Sequence, residues 1–194
     1  MATLGEVLQF WFGDPQSEEA QYSRRRKVWF SKHSETDQII QRRFLTTYEQ
    51  AVAGELEGWQ ATPEGCLALI LLLDQFPRNL FREQPQAFAT DRQARTLALR
   101  AIAQGFDQSL APIQRIFIYL PLEHSENLGD QHQSVALFQQ LTAHSPELAD
   151  VFDYAVRHQT VIERFGRFPH RNASLGRAST AAELEFLKQP GSSF

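Results

Sequence analysis

Thr62-Pro63-Glu64-Gly65-Cys66-Leu67-Ala68-Leu69-Ile70-Leu71-Leu72-Leu73 is the stretch that decides the fold class. A threonine can accept a hydrogen bond from the unpaired amides of a first helical turn, and proline at the first helical position lacks only a donor that has no partner there. Cys66 to Leu73 is apolar on every side, so a helix built from it is wrapped by other elements. A buried β-strand is the competing reading of so short an apolar run. The proline cap and the bias toward Ala and Leu over Val favour the helix, and the stretch predicts a central one.

Working outward, apolar residues keep recurring at helical spacing. Toward the N-terminus, Thr3 with Glu6 reads as a capping box before Val7, Leu8, Phe10, Trp11 and Phe12, with a stop at Gly13-Asp14-Pro15. A short helix carrying Val28, Trp29 and Phe30 follows. Ser34 then reads as the N-cap of a longer helix through Ile39, Ile40, Phe44, Tyr48 and Val52 that Gly54 breaks.

Toward the C-terminus, Thr90 or Asp91 caps a helix with Ala94, Leu97, Ala98, Ala101 and Ile102, stopped by Gly105. Pro112 opens another with Ile113, Ile116, Phe117 and Leu120, which Pro121 bends or ends, since an interior proline removes a backbone hydrogen bond. A helix with Val135, Leu137, Phe138 and Leu141 comes next. Pro146 starts one with Leu148, Phe152, Ala155, Ile162 and Phe165 that ends at Gly166. A second capping box, Thr180 with Glu183, opens the last helix, and Pro190-Gly191 closes it.

No stretch alternates with the two-residue period of a strand, and no Asn-Gly or Asp-Gly hairpin turn is present. The expectation is an all-α fold, an antiparallel helical stack or bundle of about eight or nine helices. No period of about 34 residues marks a tetratricopeptide array. No linker divides the chain, and 194 residues suit one domain spanning 1–194.

Apolar residues make up 42% of the chain and Phe alone numbers 15, enough to fill a core. The formal charge is −4 and the 19 Lys and Arg are dispersed, so no global field favours nucleic acid or an anionic membrane. Cys66 is the one cysteine, which excludes an intrachain disulfide and an all-cysteine zinc site and fits the reducing cytoplasm. Neither a secretory leader nor a membrane span is legible. There is no Gly-x-Ser-x-Gly, no phosphate-binding loop and no dinucleotide glycine pattern, so no cofactor is expected. Cys66, within its apolar run, and Trp11, Trp29 and Trp59 read as packing residues.

Three polar clusters remain. Asp74-Gln75-Phe76-Pro77-Arg78-Asn79 begins where the most apolar helix is expected to end. Arg78 can pair with Asp74 or reach a ligand's carboxylate or phosphate, or with Asn79 it can simply satisfy a helix end. Glu123-His124-Ser125-Glu126 follows Tyr119-Leu120-Pro121-Leu122. If helical, it puts Glu123 and Glu126 side by side, with acid and base groups to hand, or it is a solvated turn or a buried ion pair. Its spacing lacks a His-Glu-x-x-His metal pattern, and no metal is expected. The densest cluster holds Arg157, His158, Glu163, Arg164, Arg167, His170, Arg171 and Asn172. Past Gly166 the chain can turn so that Arg164, Arg167, His170 and Arg171 converge on one anion. Alternatively these arginines neutralise Asp74, Glu123, Glu126 and Asp130 within the molecule.

The chain resembles the bacterial proteins grouped as domain of unknown function 924, nearly end to end. The likeness rests on residues 7–13 (Val-Leu-Gln-Phe-Trp-Phe-Gly), 73–79 (Leu-Asp-Gln-Phe-Pro-Arg-Asn), 119–126 (Tyr-Leu-Pro-Leu-Glu-His-Ser-Glu) and 164–172 (Arg-Phe-Gly-Arg-Phe-Pro-His-Arg-Asn). Leu175-Gly176-Arg177 and the tail Pro190-Gly191-Ser192-Ser193-Phe194 look like that family too. The resemblance implies an all-helical fold similar to tetratricopeptide-type stacks and supplies no catalytic residue or ligand.

The functional expectation is a helical protein that binds a small anionic ligand or an acidic peptide terminus through Arg164, Arg167, His170 and Arg171, with Arg78 and Asn79 completing the pocket. One alternative is a hydrolase using Glu123, His124 or His170 as acid or base with arginines stabilising charge. Another is a scaffold whose polar loops pair internally.

Overall fold

The computed structural model describes residues 1–14, 16–17, 22–30 and 33–193, all helix, turn or loop without a strand among them. Ten α-helical segments run in order: α1 Leu4–Phe12, α2 Tyr22–Phe30, α3 Ser34–Val52, α4 Pro63–Ile70, α5 Phe76–Leu80, α6 Asp91–Ala103, α7 Pro112–Glu123, α8 Leu128–His144, α9 Ala149–Phe165 and α10 Ala181–Leu187. A π-turn, Leu71–Gln75, joins α4 to α5 in one continuous run, leaving nine separate helices among the described residues. The all-α fold is as expected. Pro15 and the Val28 side chain, invoked above, lie outside the described part.

Local chemistry accounts for most helix ends. Both capping boxes form: the Glu6 amide donates to Thr3 Oγ1 at 3.3 Å and the Glu183 amide to Thr180 Oγ1 at 3.2 Å, while each glutamate receives its threonine's amide in return. Thr62 caps α4 through the Gly65 amide at 3.1 Å. Two caps differ from expectation. His33 stands at the cap position of α3, so Ser34 is already helical, and the Thr90 hydroxyl turns away from α6.

The destination of that hydroxyl explains a larger correction: the helix begun at Pro63 does not end at Leu73. A regular helix pairs the carbonyl of residue 73 with the amide of residue 77, but residue 77 is proline and has none. The Thr90 hydroxyl donates to the Leu73 carbonyl instead, at 2.5 Å. The Phe76 amide reaches back five residues to Leu71, widening the helix by the π-turn, and the chain continues helical through Leu80. Asp74 and Gln75 are thereby interior residues of a buried helix rather than the start of a polar loop. Pro121 is likewise inside α7, which goes on to Glu123 and stops at His124.

Every residue of α4 from Gly65 to Ile70 is buried. Around it packs an aromatic set: Trp11 lies 5.4 Å from Phe76, 5.6 Å from Phe117 and 6.3 Å from Trp29, and the Trp29 indole donates to the Trp11 carbonyl at 2.8 Å. Short connections force α7, α8 and α9 to pack as antiparallel neighbours. A second, small apolar cluster of Val161, Ile162 and Phe168, with Phe165 and Phe186, underlies the C-terminal segment. Among the described residues, no helix is long and apolar enough to cross a membrane.

Candidate functional site

The π-turn places one carboxylate, Asp74, with no exposure at all. Its Oδ1 lies 2.8 Å from Nδ1 of His124, the residue that ends α7, and accepts from Arg78 Nη2 at 3.1 Å. Its Oδ2 accepts from the Gln75 amide group at 2.5 Å. Burial works against the charge on Asp74, but His124 and Arg78 outweigh it and hold the carboxyl well below the usual range. Because a charged carboxylate only accepts, Nδ1 of His124 carries the hydrogen and its Nε2 is left as the basic atom.

Arg78 also donates to Asp91 Oδ1 at 3.0 Å, and the other oxygen of Asp91 accepts from Arg171 Nη1 at 3.1 Å. One carboxylate at the start of α6 thus gathers guanidiniums from α5 and from the turn Pro169–Arg171. Gly166 makes that turn reachable, because it ends α9 in the left-handed region (φ +67°) and redirects the chain. Arg171 is fixed further by donating to the His124 carbonyl at 2.9 Å and by lying between two rings, 4.6 Å from Phe168 and 4.8 Å from Phe88. Burial, with the like charge of Arg78, lowers its guanidinium to about 10. His170 is lowered to about 3, chiefly by burial and then by Arg171, Arg78 and His124, so it is neutral near pH 7.

Behind this corner sits a second acid–imidazole pair. Glu123 Oε1 is 3.1 Å from His158 Nδ1, and the same nitrogen lies 2.8 Å from the Tyr154 carbonyl. A carbonyl only accepts, so Nδ1 of His158 is the protonated nitrogen. Burial drives Glu123 well above the usual carboxylate range, and the charge on Asp74 adds to the effect. His158 is driven well below 6.5, again mainly by burial. Both shifts favour the uncharged form of the pair. Its ring stands 6.3 Å from that of His124.

The residues singled out in the sequence divide. Arg78, His124, His170 and Arg171 come together, with Glu123 behind them. Arg164 stands on the exposed side of α9, 4.7 Å from the Phe165 ring. Arg167 donates to both oxygens of Glu183, at 2.6 and 2.8 Å, because the last capping box presents that carboxylate to it. Asn79 donates to Asp37 at 2.8 Å, beside Arg82. Of the four residues expected to converge after Gly166, His170 and Arg171 lie in this cluster and Arg164 and Arg167 do not. Glu123 and Glu126 are not helical neighbours either, since α7 ends between them. Glu126 accepts from Arg177 at 2.7 and 3.0 Å and from the Phe168 amide at 2.8 Å. Asp130 is taken by Arg95 and Ser125.

Sequence reasoning missed Asp91 as the junction of the cluster and Phe88 as its aromatic floor. Asp91 carried only the signature of a helix start, and nothing local to Phe88 tells of residue 171. The opening to solvent is narrow: the side chains of Arg78, Asp91 and His124 are 22%, 21% and 15% exposed. An open trough of about 480 Å³ lies on the other side of the π-turn, lined by Leu69, Leu73, Leu97, Arg92 and Arg100. No group of three His, Cys, Asp or Glu among the described residues is arranged to hold a metal ion.

Comparison with known proteins adds a family and no activity. The family described as "Bacterial protein of unknown function (DUF924)" matches residues 7–191. The solved structure of a protein of unknown function from Agrobacterium tumefaciens is similar, with 37% identity, 95% of this chain and 96% of that one covered, and a TM-score of 0.82. No curated protein matches the chain.

Proposed function

The chain belongs to the DUF924 family of bacterial proteins, and from that premise we propose that it binds a small anion, a carboxylate or phosphate group, where Arg78, Arg171, His124 and His170 meet. The observation that carries the reading is that guanidiniums from two segments 93 residues apart in the sequence point at one carboxylate, Asp91, at a partly open position. Guanidinium forks suit planar or tetrahedral oxyanions, and a partly desolvated pair binds them more strongly than surface arginines do. Asp91 holds the two arginines together and acts as the internal competitor for them when no anion is bound. The single cysteine supports placing this activity in the cytoplasm.

Titration calorimetry with sulfate, phosphate and acetate at matched ionic strength tests the reading. The wild type binds at least one of them; Arg171→Gln abolishes the binding, and Asp91→Asn tightens it by removing the competitor. Absence of any anion binding in both the wild type and Asp91→Asn returns the cluster to a purely internal network.

A second reading, acid–base hydrolysis, is favoured by one observation, the Asp74–His124 pair at 2.8 Å, which orients an imidazole beside two cations. It predicts turnover of p-nitrophenyl acetate or phosphate that His124→Gln abolishes. Equal rates in wild type and variant discard it.

A further inference from the structure

We propose that the site takes up its anion together with one proton from water, and that the proton lands on Nε2 of His124. This inference rests on the anion reading and deepens it to a mode of regulation, binding that strengthens as pH falls.

The geometry singles out His124 among the three imidazoles of the cluster. His158 is enclosed, and its Nδ1 is given to the Tyr154 carbonyl and to a neutral carboxyl. The charges that weigh most on His170 are the guanidiniums of Arg171 and Arg78. His124 has a charged carboxylate at hydrogen-bond distance, Asp74, ready to stabilise an imidazolium.

What keeps His124 neutral without a ligand is burial and then the positive charge of Arg78. An anion docked on Arg78 and Arg171 cancels that second influence. It also brings negative charge toward Nε2, and both changes favour the protonated ring.

The surrounding groups agree with this assignment. Asp74 and Arg78 face the ring from the π-turn and α5, Asp91 from α6, and His170 with Arg171 from the turn after α9. On its own helix Glu123 is pushed toward its uncharged form, and from α9 so is His158. Glu126, beyond α7, is occupied by Arg177, and Asp130 of α8 by Arg95. By linkage, the affinity then falls as pH rises through the pKa of His124 in the complex.

Sulfate is the probe, because it does not titrate between pH 5 and 8. Calorimetry on the full chain is expected to show sulfate binding about tenfold weaker at pH 8 than at pH 5.5, corresponding to a rise of about one unit in the pKa of His124. Binding heats in two buffers of different ionisation enthalpy should report net proton uptake, at most about half a proton for a one-unit rise and greatest midway between the free and bound pKa values. His124→Gln should bind sulfate weakly and equally at both pH values. In the wild type, which needs no variant to fold, NMR titration of the His124 ring should show its midpoint moving upward when sulfate is added. Sulfate binding with equal affinity at the two pH values, or an unmoved His124 midpoint, overturns the proton coupling and leaves the anion site standing. Failure of sulfate, phosphate and acetate alike to bind at any pH brings down both.

Discussion

Asp74 holds the polar corner together, since it has no exposure and faces Arg78 and His124 at once. Removing one partner of a buried charged set strands the others, so Asp74→Ala is expected to lose about 3–5 kcal/mol in urea unfolding. A loss under about 1 kcal/mol would show that Asp74 carries little of the fold. His170 governs a different observable. An unfolded imidazole takes a proton near pH 6.5, whereas folded His170 declines one until about pH 3. The unfolded chain thus binds more protons between those values, and stability falls as pH drops through that window. His158 acts in the same direction. The lowered carboxylates of Asp74 and Glu126 add their own loss only as pH falls below about 5, where unfolded carboxylates start to protonate. Melting curves between pH 6.5 and 4.5 should show a flatter decline in His170→Gln than in the wild type, and equal slopes would mean that His170 does not resist protonation. The pairing of Arg78 with Asp74 was legible as one option for residues four apart, although across a turn rather than along the helix that carries it. The part played by Asp91 was not, because a residue that opens a helix looks the same in sequence whether or not two arginines come to meet it.

At the scale of elements, α4 and the turn at Glu57–Ala61 approach more closely than any side chain permits at Gly65. A Cβ there would lie 1.9 Å from the Trp59 carbonyl oxygen, whereas one at Gly5 on α1 meets nothing within 4 Å. Gly65→Ala must therefore push apart a turn and the central helix, at an expected loss of about 2 kcal/mol or more. Gly5→Ala should gain about 0.5–1 kcal/mol from helix propensity alone. Denaturant midpoints of the two variants moving in the same direction would contradict this packing. Capping signals at Thr3, Thr62 and Thr180 worked because a cap is satisfied within four residues. At Thr90 the signal marked the helix start, but the hydroxyl does not cap it, since the carbonyl freed by Pro77 lies 17 residues away in sequence and takes the hydroxyl at 2.5 Å.

For the molecule as a whole, the ties between the C-terminal segment and the rest, which include Arg171 and the Phe168 amide, also include Arg177. It donates to both oxygens of Glu126, to Asn172 Oδ1 at 2.9 Å and to the Phe168 carbonyl at 3.1 Å. Arg177→Ala is expected to raise amide hydrogen exchange across 166–193 while α4 and α7 keep their protection, because the small cluster around Phe168 is separate from the main core. Uniform loss of protection throughout the chain would instead make the two clusters one cooperative unit. The sequence by itself determined that the chain is all-helical, where most helices start and stop, and which apolar faces are buried, since those follow from hydrogen bonds and periodicities spanning a few residues. Only the tertiary structure decided that Arg78 and Arg171 share Asp91 while Arg164 and Arg167 do not, and that burial pushes Glu123 toward its uncharged form. A side chain's charge and partners depend on groups brought from 50 to 80 residues away, and no local pattern encodes that distance.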